Sequence, residues 1–298
     1  MHTNTHTDTD PGTDTHIPLI LDLDGTLVRN DLTQELVFES LFAAPLQWPG
    51  LVWLGRTDKP EMKRRMLELT APCEPEHLPY QPEIVELARA ARAGGREVWL
   101  CSGSHEGTVH RITAHLPWMS GGWGTRAGYN MTSARKAAFL RERFPQGFDY
   151  AGNSTQDFAV WEAARRGYAM HPPPGTDATR TASGEPVDIL VPRGGGLGLE
   201  ALPRPWVYAG AALVPLLLWL GGERFLPALF HALLSGALLG TGVGTLFRVA
   251  CIRHHRRDPA RRDRPLPSGR VSPARAMLLG VLAVLGAFAL AALYSVFA

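Results

Sequence analysis

Ile20-Leu21-Asp22-Leu23-Asp24-Gly25-Thr26-Leu27 is the stretch whose reading decides the fold. The apolar run Ile17 to Leu21 reads as a buried strand that delivers two carboxylates two residues apart, after which Gly25 and Thr26 turn the chain away. Residues two apart on a strand share a face. Asp22 and Asp24 are therefore expected to point together into one site at the strand's C-terminal end, where open α/β sheets bind their ligands. Two like charges so close repel unless a cation or a shared proton intervenes, which implies Mg²⁺ and a different role for each carboxylate. A lone D-x-D is as often a strand ending in an acidic turn. The full D-x-D-G-T-L string shifts the balance to chemistry.

That string resembles the first motif of the haloacid-dehalogenase (HAD) superfamily, mostly phosphatases and phosphotransferases. The resemblance implies an α/β fold, a HAD-like Rossmannoid parallel sheet with a small helical cap. It also implies that Asp22 is a nucleophile that becomes an aspartyl-phosphate and that Asp24 is the general acid/base. The chemistry agrees, since a carboxylate can attack phosphorus covalently and Mg²⁺ can neutralise phosphoryl charge.

The chain has 298 residues, which predicts about two domains. A net charge of +2 says little about partners, and no nucleic acid is expected. Cys73, Cys101 and Cys251 are far apart, form no CxxC or zinc pattern, and read as reduced thiols in a cytosolic compartment. The near-neutral average hydropathy hides a split at about residue 200 between a soluble α/β half and a strongly apolar half. Residues 1–16 are nearly all His, Thr, Asp and Asn, without the basic and apolar regions of a signal peptide, and are expected to form a disordered tail.

The soluble domain is expected over 17–192, with a helical cap inserted at about 30–80. Leu32 to Phe42 spaces its apolar residues at three and four, as a helix does. Leu46 to Leu54, with Trp48 and Trp53, is too short to span a bilayer; cap core is the preferred reading, a rest on the membrane surface the other. Lys59 to Leu69 is a helix with a basic face, either solvated or an attractor of anionic substrates or headgroups. A helix over Glu83 to Ala93 ends at Gly94-Gly95. Glu97 to Gly103 is then a strand ending in a small hydroxyl residue, and its place matches the second HAD motif, in which Ser102 would bind the phosphoryl oxygens. His105 and His110 read as surface or cap-facing.

The third motif should supply a lysine. Lys136 is preferred; the alternative places it earlier, where Thr132 stands in this chain, and would leave the site without a cation. Phe148 to Asp157 resembles the fourth motif, G-D-S-x-x-D, with Asn153 at the first acidic position and Asp157 at the second. The resemblance thus implies Mg²⁺ on Asp22, Asp24, Asn153 and Asp157, with an Asn carbonyl oxygen replacing one carboxylate. Strands around Tyr168 to His171 and Val187 to Val191 would complete the sheet, flanking the loop Pro172 to Gly175.

A linker is expected over 193–205, followed by an α-helical membrane domain over 206–298 with three transmembrane helices, Trp206 to Leu220, Phe225 to Val249 and Ala276 to Phe297, each near the length a bilayer needs. Gly236, Gly240, Gly242 and Gly244 suggest a close-packing face on the second. Arg253 to Arg275 carries eight arginines against Asp258 and Asp263. The positive-inside rule places that loop, and with it the soluble half, in the cytosol of an integral protein of a bacterial-type inner membrane. Arg264-Pro265-Leu266-Pro267-Ser268-Gly269 resembles the loop after the second span of UbiA-type prenyltransferases. The positions of that family's metal motif hold Phe247, Arg248, Cys251 and His255, so every carboxylate is missing and three spans fall short of the family's nine.

Three functions compete: a membrane-tethered, Mg²⁺-dependent HAD-type phosphohydrolase acting on a phosphorylated small molecule or a lipid-linked phosphate, a UbiA-like prenyltransferase component completed by other membrane subunits, and a non-catalytic scaffold. The phosphohydrolase is the preferred reading, with membrane lipid as the further expected partner.

Overall fold

The computed structural model describes residues 15–192 and 226–297. The expected tail up to residue 14, the linker and the first expected span, Trp206 to Leu220, lie outside the described residues. The chain divides into two compact units, one of Met1–Arg29 with Leu46–Gly194, the other of Asn30–Pro45 with Gly195–Ala298.

The first unit is built on six parallel strands, β1 (Leu19–Leu21), β2 (Val98–His105), β3 (Gly121–Thr125), β4 (Asp149–Gly152), β5 (Arg166–Met170) and β6 (Asp188–Val191), ordered β3-β2-β1-β4-β5-β6. The chain adds strands to one side of β1 and then returns to add β4 on the other. This reversal creates the crevice at the strand ends where doubly wound sheets hold ligands. Leu19, Ile20 and Leu21 are fully buried, as a central parallel strand covered on both faces requires. Helices α4 (Pro82–Ala93), α5 (Glu106–His115), α6 (Ser133–Arg143) and the short α7 (Phe158–Trp161) accompany the sheet. One core cluster joins Ile20, Cys101, Leu140, Phe148, Tyr150 and Trp161, fixing α6 and α7 on the strands that carry the expected motifs.

Strand β3, Gly-Gly-Trp-Gly-Thr, was not expected, because glycine is depleted in strands. Here the glycines are what the packing needs. A Cβ on Gly122 would meet the Leu100 carbonyl at 2.8 Å, and one on Gly124 the Glu106 backbone nitrogen at 2.7 Å. Between them Trp123 stacks on Trp99 of β2, ring centroids 4.5 Å apart.

In the same unit, α2 (Trp48–Thr57) and α3 (Lys59–Leu69) form the helical insertion. Pro60 sits in the first turn of α3, where a missing N–H costs nothing, and the Asp58 carboxylate accepts the Glu61 amide at 3.0 Å. The expected cap core over Leu46 to Leu54 is corrected: only Leu51 is buried, while Leu46 is 95% and Trp53 66% exposed. A helix meeting its neighbour along one face buries only the residues of that face.

The second unit contains α1 (Leu32–Ala43), α8 (Leu226–Ala250), α9 (Ile252–Arg257) and α10 (Pro273–Phe297). Two stretches, His231–Ala250 and Pro273–Leu293, are long and apolar enough to cross a membrane, and Phe247, Leu282, Leu285 and Phe288 point outward. Helices α8 and α10 pack closely where a Cβ on Gly242 would meet the Gly280 carbonyl at 2.7 Å, whereas Gly236 and Gly240 face open space. Among the described residues the expected small-residue face thus makes a close contact at Gly242 and none at Gly236 or Gly240. Helix α1, expected in the cap, groups with this unit instead. Its Phe38 packs on Val249, Ile252, Leu266, Val271 and Ala276. Its buried Glu35 pairs with Arg256, Nη1 to Oε2 at 2.9 Å, and Arg256 also donates to the Pro267 carbonyl at 3.1 Å. Asn30 Nδ2 donates to Glu35 Oε1 at 2.7 Å and to the Leu266 carbonyl at 3.4 Å. The loop that resembles the prenyltransferase segment therefore receives α1, and the four metal-motif positions hold no carboxylate: Phe247 is exposed and His255 buried.

Candidate active site

Asp22 follows β1, and its amide donates to the Ala151 carbonyl of β4 at 2.9 Å, continuing the pairing one residue past the strand. The chain then turns sharply: the Thr26 and Val28 amides both donate to the Leu23 carbonyl, at 3.3 and 3.0 Å, with Gly25 at φ +76°, a conformation costly to residues with a Cβ. The turn leaves both carboxylates at the sheet's C-terminal edge.

Lys136, in the first turn of α6, reaches this edge. Its Nζ donates to Asp22 Oδ1 at 2.8 Å and to the Tyr150 hydroxyl at 2.8 Å, and it stands 3.5 Å from Asp157 Oδ1. The Tyr150 hydroxyl donates in turn to Asp157 Oδ1 at 2.6 Å. A buried chain of contacts thus runs Asp22, Lys136, Tyr150, Asp157. Thr132 is engaged elsewhere, its Oγ1 accepting from Asn130 Nδ2 at 3.1 Å. Of the two third-motif alternatives, the structure brings Lys136 to Asp22.

Ser102 is buried near the end of β2, and its Oγ accepts the Ser104 amide at 3.0 Å. The Ser104 hydroxyl donates to Asp24 Oδ2 at 2.7 Å. His105 ends β2 and caps α5, its Nδ1 accepting the Gly107 amide at 3.0 Å. Lys63 of α3 also arrives here, donating to the Gly103 carbonyl at 2.5 Å and to Asn130 Oδ1 at 3.2 Å. Sequence reasoning missed Ser104, Tyr150 and Lys63 as parts of this assembly. Ser104 alone gave a signal, as the second hydroxyl of Ser-Gly-Ser; Tyr150 reads as one more core position of an apolar strand.

Charge explains the electrostatics. Burial pushes the Asp22 carboxyl up to about 6; Lys136 opposes this rise and Asp157 adds to it. Burial disfavours charge on Lys136 too, yet Asp22 and Asp157 hold it above the usual lysine range. Burial likewise works against an ionised Asp157, but Lys136, the Tyr150 hydroxyl and the amides of Ser154 and Asn153 hold it below the usual carboxylate range. Cys101, pushed up to about 12 by burial, is an inert thiol, and all three cysteines are free.

The donor set offers a place for a divalent cation. Asn153 Oδ1 is buried and has no hydrogen-bond partner among the described residues, and the Asn153 amide lies against the turn so tightly that a Cβ on Gly25 would fall 1.9 Å from Nδ2. An orphaned carbonyl oxygen against the Gly25 turn, which follows Asp22 and Asp24, fits a hard cation. Asp157 is differently placed. Its Oδ2 accepts the Asn153 amide at 3.1 Å, the Ser154 amide at 2.9 Å and the Ser154 hydroxyl at 2.8 Å, while Oδ1 takes the Tyr150 hydroxyl. Protein donors occupy both oxygens of this carboxylate, which closes the loop that presents Asn153.

Residues 19–162 match the family described as haloacid dehalogenase-like hydrolase. An uncharacterized protein, y4nM, of Sinorhizobium fredii is 36% identical over 151 residues, which are 51% of this chain and 29% of that protein; the chain thus corresponds to under a third of that relative's length. Among solved structures, a probable phosphoserine phosphatase from Vibrio cholerae is 18% identical, covering 62% of this chain and 64% of its own, at a TM-score of 0.43. A phospho-aspartyl intermediate analogue of phosphoserine phosphatase is 16% identical, covering 61% and 96%, at 0.40. The four motifs within the matched residues lie in order along one sheet edge. Over residues 19–162, just under half of its length, the chain thus matches the haloacid dehalogenase-like hydrolase family.

Proposed function

We propose that the chain is a membrane-tethered, Mg²⁺-dependent phosphohydrolase that cleaves a phosphate ester through an aspartyl-phosphate on Asp22. The observation that carries this is the contact of Lys136 with Asp22, which joins the first and third motifs in one buried site. An Asp22 oxygen attacks phosphorus, the bond from phosphorus to the ester oxygen breaks, and Asp24 gives that oxygen a proton. Water then attacks the phosphorus of the acyl phosphate, Asp24 takes its proton, and phosphate leaves with Asp22 restored. Ser104 orients Asp24 for both transfers. Ser102 and Lys136 bind the phosphoryl oxygens, Lys136 balancing their charge. Asp22, the Asp24 backbone carbonyl and Asn153 Oδ1 would hold Mg²⁺, which when bound supplies positive charge at the transferred group. Asp157 acts by fixing the Asn153 loop and Lys136.

The two apolar helices of the second unit support tethering, and the arginine-rich segment between them supports a cytosolic hydrolase domain. A tether favours a substrate that is itself held near lipid, such as a lipid-linked phosphate. Prenyl transfer gains no support, because the positions that would need carboxylates hold Phe247, Arg248, Cys251 and His255. The test is phosphate release from a panel of phosphate esters by the full chain in detergent with Mg²⁺, beside Asp22→Asn. Equal Mg²⁺-dependent rates in the two proteins would overturn the proposal.

A further inference from the structure

An open cleft of about 620 Å³ lies in the first unit, between Arg56–Pro60, where α2 gives way to α3, and Gly128–Arg135, which leads into α6. It is the size of a small-molecule site. Three cations line it, Arg56, Lys59 and Arg135, against one carboxylate, Asp58. That carboxylate is already committed to the Glu61 amide. Among the described residues none of the three cations makes an ion pair, unlike Arg64 and Arg65 further along α3, which both pair with Glu61. An exposed cation is most often simply solvated, but here three face one concavity with a single acid between them.

The geometry also connects this cleft to the reacting carboxylate. Each of its two walls is a helix that gives one cation to the cleft and another to the site. On α3, Lys59 lines the cleft, and Lys63, one turn on and on the same face, donates to the Gly103 carbonyl between Ser102 and Ser104. On α6, Arg135 lines the cleft and Lys136 binds Asp22. Asn130 and Thr132 of the cleft wall close the gap. Asn130 accepts from Lys63, and a Cβ on Gly103 would fall 2.9 Å from Thr132 Cγ2.

We infer that this cleft seats a second anionic group of the substrate, so that the ester hydrolysed belongs to a molecule carrying a carboxylate or another phosphate besides the one attacked. The inference rests on the hydrolase reading above and adds the substrate class. Cations at the mouth and a cation at Asp22 would hold the two ends of such a molecule, positioning its phosphorus for attack.

The test uses the full chain with three probes of one shape: phenyl phosphate, 4-carboxyphenyl phosphate and hydroquinone bisphosphate. The expected result is a kcat/KM at least about tenfold higher for the two doubly anionic esters, a preference of a size that one or two charge-assisted contacts supply. The carboxylate and phosphate arms tell the two kinds of second anion apart. In Arg56→Gln/Lys59→Gln/Arg135→Gln the preference should shrink to about twofold or less, and Lys59→Gln alone should give an intermediate ratio should the triple variant fail to fold. An unchanged ratio in these variants would overturn the inference. Calorimetric binding of the same probes to Asp22→Asn separates the two readings. Tighter binding of the doubly anionic probes that the cleft variants lose upholds the cleft even if no ester is turned over. Equal binding of all three probes refutes the cleft while leaving hydrolysis standing.

Discussion

Each unit buries a charge cluster, and the two are built on opposite principles. In the second unit Arg256 and Glu35, 4% and 1% exposed, match one cation to one anion in a two-point contact. Around Asp22 the count does not balance: Asp22 and Asp157 share the ammonium of Lys136, and Asn153 Oδ1 has no donor among the described residues. Burial alone therefore does not mark chemistry. A balanced pair holds helices in register; a surplus of negative charge at the end of a strand, beside an orphaned oxygen, calls for a cation from outside and is costly to the fold for that reason.

Asp22→Asn should have the largest effect, abolishing phosphoenzyme trapping and lowering turnover by roughly a thousandfold or more, as loss of a covalent nucleophile does. If the variant still traps phosphate on the protein, the unbalanced cluster is not the reaction site. In the balanced cluster, Glu35→Ala should leave Arg256 buried and unpaired, at a cost of about 3–5 kcal/mol, read by calorimetry as a lower unfolding midpoint. Glu35→Met/Arg256→Met should recover most of that loss, and a double variant as unstable as the single one would show that the pair does more than hold α1. Ser104→Ala removes the hydroxyl that orients Asp24. Turnover should fall by roughly 10- to 100-fold, the range for a hydrogen bond to a charged group, with dephosphorylation slowed as much as attack. The smallest effect is with pH. Asp22 must be ionised to attack, and burial pushes its carboxyl up to about 6. Without metal, the fraction competent to bind and react should therefore fall about tenfold per unit below pH 6, and Mg²⁺ should move that limb lower by favouring the carboxylate. A limb that ignores Mg²⁺ would detach Asp22 from the cation.

What could be read in the chain follows the range of the interactions involved. The places of Asp22, Asp24, Ser102 and Asp157 were legible because each ends a strand or opens a turn with a local signature, though not the donors that occupy both Asp157 oxygens, and that of Lys136 because it lies on the helix before the next strand. The parallel sheet was legible from its apolar runs, apart from β3, whose glycines mimic a loop until the close approach of Leu100 and Glu106 is seen. Tyr150 was hidden because its hydroxyl acts at the end of a side chain whose ring is ordinary core. The place of α1 was illegible, since its apolar spacing fits any partner and the residue that claims it, Arg256, lies 221 positions beyond Glu35.

That separation has a consequence for biosynthesis. At about 5–20 residues added per second, α1 leaves the ribosome roughly 10–40 s before Arg256 exists. Throughout that interval the hydrolase sheet can begin to close around β1, β2 and β4, while the helix spliced between its first two strands has a carboxylate and an apolar face but nothing to receive either. The nascent chain therefore carries, on the same stretch of backbone, a sheet that can close and a helix whose partner has yet to be made.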